Sequence, residues 1–299
     1  MMKIVHIVNP VNVGPASDLF KAQPITFESM RKAKEFSKGA IEVALVTTQY
    51  SEDHDIIPAY FYKAPDLKHS VMDVDDFKKT RKLPFIKDIL DRAVESSLDA
   101  EYIVYTNVDI ALLPHFYLFV KEKIEIGLDA FVINRRTISK EYDLDTLASA
   151  YSDLGVEHPG FDCFVIRKDL IASLHLGSIC IGANWIGRTM FANLITYCNN
   201  YELFKYEHLT FHIGEDGAWL VSDFSEFDTH NKKELYRIIN ELKNEAKSAS
   251  TVAGLQEIKS FMDNYGLNPM IEKPPYNPNI WTRLKKKIKK GIKIIFDKN

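Results

Sequence analysis

The sequence predicts an α/β protein with a doubly wound, mostly parallel central sheet, flanking helices and a C-terminal helical appendage. Short runs rich in β-branched residues alternate along the chain with longer segments whose apolar residues recur at helical spacing. Strands that alternate with helices pair in parallel, because each helix carries the chain back across the sheet. Polar residues and proline follow several of the strands, as expected where strand ends open onto loops.

The predicted elements follow in chain order. The first strand is broken by Pro10, and Thr26 is the predicted N-cap of the first helix. Pro84 suits the first turn of the second helix. The charged segment 49–82 receives no assignment. The predicted strands are residues 3–9, 41–47, 101–106, 130–134, 163–166 and 209–212, and the predicted helices are residues 26–37, 83–94, 115–126, 185–197, 234–247 and 252–265.

Composition narrows the class of protein. The chain has 299 residues, of which 46% are hydrophobic and 26% charged, ordinary values for a globular protein with a full core. Its three cysteines show no Cys-x-x-Cys spacing, which argues against a disulfide framework or structural zinc and indicates a reducing compartment. No apolar stretch approaches the roughly 20 residues of a spanning helix. We therefore expect a protein that is neither exported nor membrane-spanning.

Charge is distributed unevenly along the chain. Residues 281–299 carry eight Lys or Arg and one acid, so the rest of the chain, with the overall charge at −3, carries −10. An acidic body argues against a nucleic-acid partner. In the tail, apolar residues including Trp281 and Phe296 recur at helical spacing among lysines, which predicts a basic amphipathic helix on an anionic membrane surface. A helix docked on the acidic body is the alternative.

The strongest candidate site follows the strand at 101–106. Asn107 and Asp109 stand two residues apart, which places both side chains on one side of an extended backbone. Oxygen ligands suit Mg²⁺ or Mn²⁺, which keep water and bind substrate phosphates. In open α/β sheets, ligands collect at the carboxyl ends of the strands. The structural alternative is a turn that Asn and Asp favour for local reasons.

The order of elements over about residues 3–220 resembles the GT-A glycosyltransferase fold, and Asn107-Val108-Asp109 resembles its Asp-x-Asp motif, with asparagine in the first place. The resemblance implies a catalytic domain over residues 1–230. Such a domain transfers a sugar from a nucleotide diphosphate donor (a UDP- or GDP-sugar) to a glycan or lipid-linked acceptor. It also implies that Asn107 and Asp109 hold Mn²⁺ or Mg²⁺, which bridges the donor's diphosphate.

The segment 210–219 is similar to the late His-x-x-Gly-x-x-Lys-Pro-Trp segment of glycogenin-like retaining enzymes, with a spacing one residue shorter and without Lys-Pro. This similarity implies His212 as a further metal ligand. Many inverting GT-A enzymes carry an acidic base before the helix at 185–197, and no acid stands at 184 or 185. Both observations favour retention of anomeric configuration. A strand-terminal histidine beside a glycine turn is the alternative for His212.

Residues before the strand at 163–166 are the candidate catalytic groups. In GT-A enzymes this region faces the acceptor, which implies Asp162 or His158 as a general base or a hydrogen-bonding partner of an acceptor hydroxyl. Asn184 and Trp185 are the predicted acceptor-binding residues, because an aromatic face packs on apolar sugar faces. A turn or cap role for Asp162 and a core position for Trp185 are the alternatives.

Further donor-binding residues are predicted at strand ends and at one helix start. Asn9 and Pro10 follow the first strand, and Lys82 and Asp88 flank the start of the helix that precedes the acidic motif. Arg135 ends a strand at the same edge, where its guanidinium fork suits a diphosphate. Solvated surface charge is the alternative for the charged residues.

The organisation that follows has four parts: the domain 1–230, a helical appendage at 231–272, a Pro-rich link at 273–280 and the membrane-surface helix at 281–299. The expected location is the cytoplasm, at the inner face of the membrane. Two rivals stand beside a glycosyltransferase. A sugar nucleotidyltransferase usually has a Gly-rich basic loop after its first strand, whereas residues 11–16 hold one glycine. A non-catalytic glycan-binding or scaffold protein of the same fold is the second.

Overall fold

A computed structural model describes residues 1–96, 99–214 and 225–265. The strands in these ranges are β1 (Lys3–Val8), β2 (Glu42–Thr47), β3 (Tyr62–Lys63), β4 (Tyr102–Thr106), β5 (Ala111–Leu112), β6 (Ala130–Ile138), β7 (Val156–Arg167), β8 (Tyr201–Phe204) and β9 (Thr210–Ile213). The helices are α1 (Asp18–Phe36), α2 (Ile86–Glu95), α3 (Phe116–Glu125), α4 (Leu147–Ala150), α5 (Ile186–Tyr197), α6 (Ser225–Glu245) and α7 (Ala249–Asn264).

The strands form one sheet in the order β3-β2-β1-β4-β7-β6-β9-β5, and β8 also pairs with β6. The pairs β1–β2, β1–β4, β2–β3, β6–β8 and β6–β9 are parallel. The predicted α/β class with a mostly parallel sheet and flanking helices is thereby confirmed. The carboxyl ends of β1, β2 and β4 therefore lie at one edge of the sheet. Asn107 and Asp109, which directly follow β4, lie at this edge.

The pairs made by β7 and the β5–β9 pair depart from the predicted parallel pairing. β7 pairs antiparallel with both β4 and β6, and it runs for twelve residues where the pattern predicted only 163–166. Its first half is polar and partly exposed because it extends beyond the end of β4, so no apolar run marks it. β6 also continues past the predicted end at 134, to Ile138. The chain returns from β6 to β7 at one end of the sheet, which makes these neighbours antiparallel.

The predicted start of the first helix is wrong. α1 begins at Asp18 after the N-cap Ser17, and Thr26 is fully buried inside the helix rather than capping it. Pro24 lies within α1, and an interior proline is ordinarily a helix breaker, which is why the pattern placed the start after it. α2 begins at Ile86, so Pro84 lies just before the helix instead of in its first turn.

The main core lies between the sheet and the helices α1 and α3. It is built from apolar side chains of β1, β2, β4, β6 and β7 packed against those helices. One polar side chain, His6, is fully buried in β1. Its Nδ1 lies 2.8 Å from the Tyr117 hydroxyl and its Nε2 lies 2.9 Å from Oγ1 of Thr106. His6 thus ties α3 to the last residue of the strand that carries the candidate site.

The C-terminal predictions fall mostly outside the described residues. The chain separates into compact units at 1–256 and 257–299, and the second is described only through Tyr265. The end of the appendage at 231–272, the Pro-rich link at 273–280 and the basic helix at 281–299 lie beyond that point. None of the described helices combines the length and apolar character needed to cross a membrane.

Candidate active site

Asp109 lies in the turn that joins β4 to β5. β5 pairs antiparallel with β9, with Ala111 opposite Phe211, which brings the next residue of β9, His212, to the same place. The Nε2 atom of His212 lies 3.4 Å from Oδ2 of Asp109. The Asp109 side chain is 26% exposed, so it is neither sealed in the core nor fully solvated. The sheet register thus joins two residues that are more than 100 positions apart in the sequence.

His212 has a defined proton arrangement on one side of its ring. Its Nδ1 lies 2.9 Å from the carbonyl oxygen of Gly214, and because a carbonyl only accepts, Nδ1 carries a proton. The other ring nitrogen, Nε2, is the one that faces the Asp109 carboxylate. A histidine that donates one N–H to a carbonyl and presents the other nitrogen is the arrangement of many metal ligands.

A buried ion pair lies beside this contact. Arg135 of β6 donates from Nη1 to Oδ1 of Asp162 on β7 at 2.8 Å, and the two residues are 4% and 9% exposed. His158 Nδ1 lies 3.5 Å from Oδ2 of the same carboxylate, and it also accepts a hydrogen bond from the Gly160 N–H at 2.9 Å. Removing one member of such a buried pair is costly, because the other charge stays buried without compensation.

The charges of this group determine how its carboxyls ionise. Burial opposes ionisation of Asp109, but the hydrogen bond and charge of His212 together with the charge of Arg135 outweigh it and lower the Asp109 pKa. Burial likewise opposes ionisation of Asp162, and the charge of Arg135 is the main effect that outweighs it and lowers the Asp162 pKa. Both carboxylates are therefore ionised at neutral pH. A lowered pKa makes Asp162 a weak proton acceptor, which favours a role in holding Arg135.

Asn107 makes a different kind of contact. Oδ1 of Asn107 accepts a hydrogen bond from the Tyr105 hydroxyl at 2.9 Å. Tyr105 is 2% exposed, whereas Asn107 is partly exposed. Burial, with smaller effects from the negative charges of Asp109 and Asp162, raises the pKa of Tyr105, so its hydroxyl keeps its proton.

Asp109 and His212 together present an oxygen and a nitrogen ligand that a divalent cation can use. Oδ1 of Asp109 is buried and accepts no hydrogen bond from the described residues, and His212 Nε2 faces the same carboxylate. In the ranges that the structure describes, no three His, Cys, Asp or Glu side chains converge as a metal site. One carboxylate and one imidazole nevertheless suit Mg²⁺ or Mn²⁺, which take their other ligands from water and substrate phosphates. The residues present fit such an ion with two protein ligands.

Two further predicted donor residues, Asn9 and Pro10, directly follow β1. Asn9 is buried and donates from Nδ2 to the Thr48 carbonyl at 2.7 Å, which ties the ends of β1 and β2 together, and Pro10 is buried beside it.

Lys82 Nζ lies 2.6 Å from Oε1 of Glu52 and 3.8 Å from the centre of the Tyr50 ring. Lys82 is thus held in an ion pair on an aromatic face.

Asp88 shares the neighbourhood of Tyr50. His69 Nδ1 lies 3.8 Å from Oδ2 of Asp88, and the Tyr50 hydroxyl donates to the His69 carbonyl at 2.7 Å. Burial is the largest effect on Asp88 and raises its pKa. Lys82 and Asp88 therefore belong to the surroundings of Tyr50, whereas Asn9 is tied to the end of β2.

The predicted acceptor residues are held by α6. Asn184 donates from its backbone N–H and its Nδ2 to the carboxylate of Asp228, at 2.7 and 2.9 Å. Trp185 has a left-handed backbone with φ of 82° and is 7% exposed, so little of its ring is available as a sugar platform. Gly187 packs so tightly that an added Cβ would lie 2.7 Å from the Phe161 carbonyl oxygen. This close approach places the start of α5 beside the β7 residue that precedes Asp162.

Sequence reasoning missed Tyr105 and Asp228. A signal for Tyr105 existed, because residues two apart in a strand share a face and Tyr105 stands two before Asn107. No local signal pointed to Asp228, which reaches residue 184 from a helix 44 positions later. It supplies a carboxylate where positions 184 and 185 hold none, and burial raises its pKa.

No protein-family model matches the chain, and no curated protein sequence matches it. Among solved structures, residues 1–349 of S. aureus TarS in complex with UDP align with a TM-score of 0.51 at 10% identity, covering 92% of this chain and 76% of that one. The same region without ligand gives 0.49 at 12% identity, covering 86% and 71%. In complex with UDP-GlcNAc it gives 0.46 at 10% identity, covering 88% and 81%.

TarS is a glycosyltransferase, and the likeness to its UDP complex concerns the fold. The chain therefore has a GT-A-like glycosyltransferase fold, as the order of its elements predicted. At 10% identity the similarity does not extend to individual site residues.

Proposed function

We propose that this protein is a glycosyltransferase that moves a sugar from a nucleotide diphosphate donor to a glycan or lipid-linked acceptor. The observation that carries the proposal is the Asp109–His212 pair, partly open to solvent, at the end of β4 in a GT-A-like fold. Open α/β sheets bind ligands at this edge. The neighbouring structures in complex with UDP and UDP-GlcNAc support a nucleotide-sugar donor.

In this proposal Asp109 and His212 hold Mn²⁺ or Mg²⁺. Such an ion, when bound, neutralises the negative charge that develops on the leaving diphosphate. Arg135 adds a fixed positive charge, and its pairing with Asp162 keeps the guanidinium in one place. A preorganised charge of this kind needs no rearrangement at the moment of reaction.

Retention of anomeric configuration remains part of the proposal and rests on the late segment that contains His212. The argument from a missing acid at 184 and 185 is weakened by the carboxylate of Asp228 at that place. His158 and Asp162 remain the candidates for contacting the acceptor hydroxyl. The ion pair of Asp162 with Arg135 disfavours Asp162 as the proton acceptor, and His158, whose Nδ1 accepts the Gly160 N–H, is the candidate for a hydrogen bond to the acceptor hydroxyl.

Nucleotide binding is expected to raise the thermal stability of the protein. A ligand at one hundred times its dissociation constant stabilises by about 2.7 kcal/mol, which for a chain of this size is a rise in Tm of roughly 4 °C. UDP and GDP are each added with Mn²⁺, and the same nucleotides with EDTA are the control. Hydrolysis or transfer of the matching donor sugar is then measured. Stabilisation without turnover favours the glycan-binding module, and no stabilisation by either nucleotide contradicts the proposal.

The tail at 281–299 lies outside the described residues, and we propose that it holds the protein on an anionic membrane surface at the cytoplasmic face. Each basic residue near such a surface contributes about 1 kcal/mol, and the tail carries eight of them. Deleting 281–299 is expected to abolish pelleting with anionic vesicles at physiological salt, with uncharged phosphatidylcholine vesicles as the control. Unchanged pelleting of the shortened protein would remove this part of the proposal.

A further inference from the structure

The amide of Asn107 has a fixed orientation. The Tyr105 hydroxyl is almost fully enclosed and needs an acceptor, and Oδ1 of Asn107 accepts from it at 2.9 Å. If the amide were rotated by 180°, its N–H group would face the Tyr105 hydroxyl. The phenolic proton would then lose Oδ1 as its acceptor. The bond therefore holds the amide oxygen toward the strand and the amide nitrogen away from it.

The amide nitrogen is the group that Asn107 offers to a ligand. Asn107 is partly exposed, and its Nδ2 makes no hydrogen bond to another residue in the described ranges. An amide nitrogen carries two N–H donors. It cannot coordinate a cation through those protons, whereas a phosphate oxygen accepts them well.

The charges around Asn107 favour the same assignment. The carboxylate of Asp109 follows Asn107 by two residues, and Arg135 is the buried cation paired with the carboxylate of Asp162. A carboxylate at position 107 would add a third negative charge where a diphosphate has to bind. A neutral donor avoids that repulsion and still contacts the ligand.

We propose that Asn107 binds the donor's diphosphate directly through its amide N–H group, with Tyr105 as the positioning residue that orients this amide. This inference rests on the proposed function, and it changes the role of position 107 from metal ligand to phosphate ligand. Asp109 and His212 then hold the divalent ion without Asn107. The amide at position 107 is in this account a functional feature of the site.

Asn107→Asp separates the two roles, because it keeps the shape of the side chain and replaces the donor by a carboxylate. We expect the dissociation constant for UDP or GDP, measured with saturating Mn²⁺, to rise at least tenfold. A metal ligand at this position would instead gain from the charge, so nucleotide and Mn²⁺ would both bind more tightly. Asn240→Asp adds the same charge at an exposed position of α6 and is expected to leave both constants unchanged.

Tyr105→Phe tests the positioning role. It keeps the ring and removes the hydroxyl, so the amide is free to turn. Nucleotide affinity is expected to fall severalfold, and the apparent affinity for Mn²⁺, followed by electron paramagnetic resonance, is expected to rise as the amide oxygen turns toward the ion. Circular dichroism checks that the variant is folded. Unchanged affinities for both ligands in a folded variant would overturn the role of Tyr105.

The wild-type protein distinguishes failure of this inference from failure of the proposed function. If it binds neither UDP nor GDP in the presence of Mn²⁺, the proposed function itself fails. If it binds one of them and Asn107→Asp binds that nucleotide equally well or more tightly, the role of Asn107 alone is refuted.

Discussion

Replacing Asp109 with asparagine is expected to lower the rate of sugar transfer by roughly 10²–10⁴-fold, because electrostatic stabilisation of a leaving group is commonly worth several kcal/mol. The carboxylate is ionised, faces His212 Nε2 and has a buried oxygen without a hydrogen-bond partner among the described residues. Asparagine keeps the size of the side chain and removes its charge. Steady-state kinetics with the donor identified by the stabilisation measurement test this expectation.

The matched control for this substitution is Asp99→Asn. Asp99 precedes the same strand at its opposite end, its side chain is 96% exposed, and its contact is a surface ion pair with Lys3 at 3.6 Å. Surface pairs contribute about 0–1 kcal/mol, so both activity and stability should stay near those of the wild type. An Asp109→Asn variant with wild-type kcat and donor KM would show that the carboxylate takes no part in the reaction.

The second large effect is a loss of stability in acid that is caused by His6. Complete burial lowers the His6 pKa from 6.5 to about 3. The unfolded chain binds a proton below pH 6.5 and the folded protein does not, so the free energy of unfolding falls as pH decreases from 6.5 toward 3. The slope is about 1.4 kcal/mol per pH unit, and about 3 kcal/mol is lost by pH 4. At neutral pH this stability is fully present.

Urea unfolding at several pH values, compared between wild type and His6→Gln, measures this contribution. The substitution costs some stability at pH 7, because it disturbs the hydrogen bonds to Tyr117 and Thr106. The informative quantity is the difference in slope between pH 6.5 and 4, to which carboxyl groups contribute equally in both proteins. The wild type should be steeper by about 1.4 kcal/mol per pH unit. Parallel curves would mean that His6 is protonated in the folded state as readily as in the unfolded chain.

The sequence was informative where one local pattern determines structure. Apolar runs predicted β1, β2 and β4, and the position of Asn107 and Asp109 after a parallel strand follows from that alternation. The polar half of β7 was missed because it pairs with β6 beyond the end of β4 and needs no apolar face. The predicted start of α1 lies too late in the chain. Proline ordinarily marks the end of a helix, so the prediction began after Pro24, but Pro24 lies inside the helix.

The site was less predictable because its contacts join distant parts of the chain. The approach of His212 to Asp109 depends on the register of β9 against β5 and β6. The sequence predicted Arg135 as a phosphate ligand at the end of a strand. The strand β6 continues past Arg135, however, and the residue is buried against Asp162. Which polar residue lies inside is determined by the lengths of two neighbouring strands, and neither length is marked by an apolar run.

The central claim is that a nucleotide diphosphate binds where β4 ends, and a crystal structure with UDP or GDP and Mn²⁺ tests it most directly. The account predicts the ion on Asp109 and His212, with the diphosphate within hydrogen-bonding distance of the Asn107 amide nitrogen. A nucleotide bound elsewhere would contradict it. One such place is the open cavity of about 580 Å³ lined by His175, Arg237 and Glu241.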